Sequence, residues 1–244
     1  SEMASVIGSS EFQSFLDGKS PMGSESGYHT SFGYKANASG FASTALGYKA
    51  NASGAASTAL SALANASGTR STALGYRANA SGAYSTALGS SAKASVGGST
   101  ALGVTANASA YASTALGLRA NASGFGSTAL GPYAQANARS ALAVGYSARA
   151  TATNSAAFGR SAVAAHAGST AIGFGATTTN TNQIVLGKEN TQIMAPSLKH
   201  KTGPNNALLY AGKNGVLKRS SISASSLSEM ASVIGSSEFQ SFLD

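Results

Sequence analysis

From residue 33 to residue 187 the chain repeats one 14-residue pattern of small, apolar and polar positions, with no insertion or deletion. Its cleanest copy is Ala36-Asn37-Ala38-Ser39-Gly40-Phe41-Ala42-Ser43-Thr44-Ala45-Leu46-Gly47. The closing Ser-Thr-Ala-Leu-Gly returns at 71–75, 85–89, 99–103, 113–117 and 127–131. Looser copies follow, down to Gln183-Ile184-Val185-Leu186-Gly187. A glycine ends every phrase from Gly33 to Gly187 except at Ser61. An amphipathic helix needs apolar residues three and four apart, which this phrase does not supply. Two short strands per phrase, separated by glycine-bearing corners, fit it, and strict spacing makes each phrase one coil stacked on the next.

Strand alternation puts Thr44 and Leu46 on one face and Ser43 and Ala45 on the other. The larger side chain is expected inside. Leu46, Leu60, Leu74, Leu88, Leu102, Leu116 and Leu130 then form a buried core ladder, with Thr44 beside it and with Ala36, Ala38 and their equivalents facing it. So thin a coil buries little apolar area at ~25 cal/mol per Å². Several rolls are therefore expected to associate.

Composition changes this picture only slightly. The 244 residues include 29 Gly and only 10% charged residues, which by themselves suggest low complexity. A Leu or its equivalent held at one place over eleven periods overrides that reading. The absence of Cys excludes disulfide staples. No apolar run approaches the ~20 residues of a membrane-spanning helix. The chain opens at Ser1 with no leader, and so reads as a piece of something larger.

Four segments follow. Residues 1–32 are a helical and Gly/Ser-rich connector, and 33–187 the roll. Residues 188–223 are a β-hairpin cap or neck, in which Ala207–Tyr210 and Val216–Arg219 flank the turn signal Asn214-Gly215. Asn190 to Met194 reads as a further strand. Residues 224–244 are a helical joint. Ser1–Asp17 and Ser228–Asp244 are identical letter for letter. Either a flank was duplicated by design, or the chain is a window on a tandem array in which Gly18 would follow Asp244. The array is the preferred reading, with each duplicated segment a short helix stabilised by copies of itself.

Net charge is +8, and between residues 33 and 187 there is no carboxylate side chain at all. Catalysis of the glycosidase or lyase kind needs carboxylates or a metal-held base, so no enzyme is expected. His29, His166 and His200 match no ligand spacing, and neither metal nor cofactor is expected. Lys35, Lys49, Arg77 and Arg119 share one place in the phrase and should line up as a candidate anion-binding edge. The edge lacks the clustered cations and base-stacking aromatics of a nucleic-acid site, so nucleic acid is not the expected partner. The Thr ladder from Thr44 to Thr128 offers an ice-binding alternative, which an inward Thr would remove. Six Asn-Ala-Ser sequons, from Asn37 to Asn121, read as corner residues rather than glycan acceptors.

The repeated Ser-(Thr/Ala)-Ala-(Leu/Ile/Phe)-Gly followed by Ala-x-Ala-(Ser/x)-Gly resembles the head repeats of trimeric autotransporter adhesins of the Yersinia type. The ending Asn182–Gly187 is similar to the last coil of such heads. The resemblance covers about two thirds of the chain. It implies an all-β fold: a left-handed parallel β-roll of 14-residue coils, assembled as a homotrimer with three chains side by side. It further implies an adhesive or structural segment of an extracellular fibre, anchored to an outer membrane in the full-length protein and facing an anionic surface or host matrix. The chain departs from the family in carrying Thr where many heads carry Val, and in lacking the membrane-anchoring barrel. Similar repeats in phage tail fibres leave a tail-fibre shaft as the alternative.

Overall fold

The computed structural model describes residues 28–192 and two further strands at 207–211 and 217–223. The helical segment expected over Ser1–Asp17 and the helical joint expected at 224–244 lie outside the described residues. Within 28–191 the chain is a parallel β-solenoid. Each coil contributes a three-residue strand, Thr30–Phe32 in the first coil and Ile184–Leu186 in the last, to a twelve-stranded sheet. Ten of the coils contribute a two-residue strand, from Asn37–Ala38 to Val163–Ala164, to a ten-stranded sheet. We call these the Thr–Leu sheet and the Asn sheet. Pairing is parallel and in register from end to end: Thr44 lies beside Thr58, Leu46 beside Leu60, and Asn51 beside Asn65. The fixed period makes this possible, because every residue meets its own counterpart one coil away.

Both corners of a coil are tight turns. The Ala50 N–H donates to the Gly47 carbonyl at 3.2 Å, and the Ser43 N–H to the Gly40 carbonyl at 3.2 Å. The third residue of each turn is left-handed, with φ 53° at Lys49 and φ 53° at Ala42. Such backbone costs a non-glycine residue on the order of 1 kcal/mol. Its N–H is turned toward the previous coil, where Lys49 donates to the Tyr34 carbonyl at 2.8 Å and Ala56 to the Phe41 carbonyl at 2.7 Å. The corners are thus hydrogen-bonded along the axis as the strands are, which offsets the strain. Gly47 has φ +134°, and a Cβ there would sit 2.6 Å from the Ser61 carbonyl carbon of the next coil. Direct backbone stacking at that point explains the recurring glycine. Ser61, the exception, holds a φ of 102°.

The core reverses one expectation. Alternation is as read, but the inward face is the other one. Ala45 is 0% exposed and Ser43 is also buried, whereas Leu46 is 46% and Leu88 36% exposed. The ladder Leu46, Leu60, Leu74, Leu88, Leu102, Leu116 and Leu130 therefore lies outside the core of the chain, and Thr44 lies with it. The reason is room. Fourteen residues spent on two strands and two corners bring the sheets so close that, but for Thr178 near the last coil, only Ala and Ser are buried between them among the described residues. Ala36, Ala38 and their equivalents do face inward, as expected.

Downstream, Asn190 lies in a turn with φ 67°, and neither Thr191 nor Gln192 is in a strand, so no strand begins at Asn190. As a separate unit, Ala207–Ala211 pairs antiparallel with Leu217–Ser223, with Leu209 beside Arg219 and Tyr210 beside Lys218. The register shifts between Ala207 and Leu209. Among the described residues there is no helix.

Candidate functional site

With Ala and Ser filling the interior, the chemistry lies on the outside of the roll, which presents two faces and two edges. The outer face of the Thr–Leu sheet carries Thr and Leu in each coil from Thr44–Leu46 to Thr128–Leu130. It continues as Leu142–Val144, Ala156–Phe158, Thr170–Ile172 and Ile184–Leu186. No charged side chain occupies any of these outward positions. Leu74, Leu102, Leu130, Phe158, Ile172 and Leu186 are all exposed, so the band is a continuous apolar stripe.

The outer face of the Asn sheet is amide. Asn37 Nδ2 donates to Asn51 Oδ1 at 2.9 Å, Asn51 to Asn65 at 2.7 Å and Asn65 to Asn79 at 2.9 Å. Lys93 interrupts the series. It resumes with Asn107 donating to Asn121 at 2.8 Å and Asn121 to Asn137 at 3.0 Å. The sequon asparagines are therefore not corner residues. They stand in strands, where in-register stacking lets Asn37, Asn51, Asn65 and Asn107 each bond the counterpart one coil on, while Asn121, whose counterpart is Gln135, reaches Asn137.

The first edge, formed by the corners that follow each phrase-ending glycine, brings together Lys35, Lys49, Arg77 and Arg119, all exposed. Three of these cations lie over the ring of the preceding residue: Lys35 Nζ 5.3 Å from the Tyr34 centroid, Lys49 Nζ 5.2 Å from Tyr48, and the Arg77 guanidinium 5.2 Å from Tyr76. Tyr34 and Tyr48 stack on each other at 5.7 Å and 11°. Sequence reasoning missed two members of this edge. Arg160 lies 5.7 Å from the Tyr146 ring and 5.8 Å from Phe174, and Lys188 lies 5.1 Å from Phe174. They occupy the position just before that of the other four, and a search for one place in the phrase passes over them. The opposite edge is sparser in charge: Arg70 bonds the Tyr84 hydroxyl at 3.0 Å, and Arg139 lies over Phe125, itself stacked on Tyr111.

His166 is half-buried, with its Nδ1 3.4 Å from Thr178 Oγ1, and His29 lies in the first coil. His200 lies outside the described residues. No group of three metal-ligating side chains comes together among the described residues.

The profile of the YadA head domain repeat (2 copies) matches residues 38–60, 66–92, 97–120, 122–148 and 150–176, together more than half of the chain. Among solved structures, the collagen-binding domain of the Yersinia adhesin YadA is similar at 27% identity and a TM-score of 0.45. The match covers 75% of this chain and 87% of that one. A comparison with curated proteins finds no match.

Proposed function

Because the chain belongs to the YadA head repeat family, we propose that it is an adhesive, non-catalytic segment of an extracellular trimeric fibre, with three parallel rolls joined through their Thr–Leu faces. The observation that carries this reading is the uncharged apolar stripe along one side of the roll, from Phe32 to Leu186. A core of Ala and Ser gives each coil little burial energy, while Leu, Val, Phe and Ile sit on the surface. Three chains that bring these faces together remove the stripe from water and give the Leu ladder a buried place between chains. In-register stacking sets each residue of the stripe beside its counterpart one coil on, so equal chains can meet residue for residue.

The identical segments Ser1–Asp17 and Ser228–Asp244 support one further step, in which such units follow one another along a filament displayed at a cell surface. The hairpin of residues 207–223 would serve as its neck. Light scattering coupled to size exclusion tests the assembly. Three times the chain mass is expected. A monomeric mass at micromolar concentration, with a β-type circular dichroism spectrum, would overturn it.

A further inference from the structure

The nine cations between residues 33 and 187 are not spread evenly around the roll. None lies on the Thr–Leu face. Two, Lys93 and Arg149, lie on the Asn sheet, and two, Arg70 and Arg139, on the sparser edge. The remaining five, Lys35, Lys49, Arg77, Arg119 and Arg160, share the other edge, and Lys188, directly after the last phrase-ending glycine, extends it. All six are exposed. Among the described residues no ion pair neutralises them, and Glu189, beside Lys188, is the single carboxylate. At a rise of ~4.8 Å per coil they lie about one to three coils apart, over roughly 50 Å.

From this single file of cations we infer that the edge from Lys35 to Lys188 is a binding track for a linear acidic polysaccharide, sulfated or uronate-bearing, lying along the roll axis. Three features select this ligand class. The cations supply charge complementarity along a line, not in a pocket, so the partner is an extended polyanion. Where the corner position has no cation it often carries a hydroxyl, at Ser91, Thr105, Ser147 and Ser161, which suits a chain of sugars rich in hydroxyl groups. A sugar ring is about as long as one coil is tall, so corner residues and sugar units succeed one another at a similar pitch.

The aromatic rings discriminate against single-stranded nucleic acid, which binds by stacking bases on free ring faces. Tyr34 and Tyr48 stack on each other, and Lys35, Lys49, Arg77, Arg160 and Lys188 lie over rings of the track. Duplex DNA carries a charge every ~1.7 Å, far denser than this track. The rings act instead as supports that hold flexible cation stems in place and lower the ordering cost of binding. This deepens the adhesive reading above but rests on the edge of each roll, not on the number of chains.

The test uses the full chain and a heparin oligosaccharide as the probe, with affinity measured by calorimetry from low to physiological salt. Replacing Lys35, Lys49 and Arg77 by Gln is expected to weaken binding roughly tenfold. It should also lower the slope of log affinity against log salt by about 2, at roughly 0.7–0.9 per lost contact. A control that removes the same charge elsewhere, Arg70→Gln with Lys93→Gln and Arg139→Gln, is expected to change affinity less than about threefold. Equal losses in the two triple variants would show that net charge alone is read, and would overturn the track. Tighter binding to single-stranded DNA or to phosphatidylserine vesicles than to the oligosaccharide would overturn the ligand class. Chain mass and circular dichroism, recorded on the same samples, keep a failed trimer distinct from a failed track.

Discussion

The two sheets of the roll follow the same 14-residue clock, yet their outer faces have opposite chemistry. Beyond the Thr–Leu sheet lie Leu, Val, Phe and Ile with no charge, and beyond the Asn sheet lie Asn, Gln, Lys and Arg for most of its length. The inner faces, by contrast, are almost interchangeable, with Ala45 and its counterparts on one side and Ala36 and Ala38 on the other. A thin solenoid spends its small residues on closing itself and has only its outside left for larger ones. The face that carries large apolar groups therefore needs a partner. The other stabilises itself by bonding amide to amide in water. In the trimer proposed above, one sheet is completed by other chains, and the other along its own chain.

Three substitutions separate these roles. The largest effect is expected inside the Thr–Leu sheet. Ala87 is 0% exposed, and Ala87→Asp puts a charge where neither water nor a partner can reach it. A loss on the order of 4 kcal/mol is expected, seen as a collapse of the thermal transition followed by circular dichroism. Its neighbour Leu88 points outward. Leu88→Asp should leave the β-type spectrum of the roll in place while the mass falls from trimer to monomer. A mass still three times that of the chain would show that this face is not the interface. The smallest effect belongs to the Asn sheet, where Lys93 stands between Asn79 and Asn107. Lys93→Asn should join the two amide ladders and raise stability by about 1 kcal/mol, read as a higher urea midpoint. An unchanged midpoint would mean that the ladder contributes nothing net.

The period, the strands and the corners were legible because they are written in residues that recur at fixed places: Gly47 and its counterparts, and Thr44-Ala45-Leu46 and theirs. Alternation was legible too, as a parity. Its sign was not, because hydrophobicity favours Leu inside while the width of the coil forbids it. A different signal would have supplied the sign. The position of Ala45 stays Ala through Ala171, whereas that of Leu46 drifts to Val144, Phe158 and Ile172. A place that accepts one small residue in coil after coil is the crowded one, and a place that accepts four different shapes has room. The candidate edge was half legible. Four cations share one phrase position, but Arg160 and Lys188 reach the edge from the adjacent one, which only the folded corner reveals.

Every hydrogen bond between coils, at corners and strands alike, points along the axis of the roll. A pull on the two ends of the roll puts the same tension on every coil, and the outermost one yields first because a neighbour bonds it on one side only. When that coil lets go, it frees fourteen residues, about 45 Å of slack once the lost rise is subtracted, and the next coil inherits the same load with nearly the same set of bonds. A roll of this kind stretches as a ratchet of equal steps, yielding length under tension one turn at a time while the coils still wound keep their faces and edge intact. For a tether in moving fluid, that means tension is relieved before the remaining adhesive surface is lost.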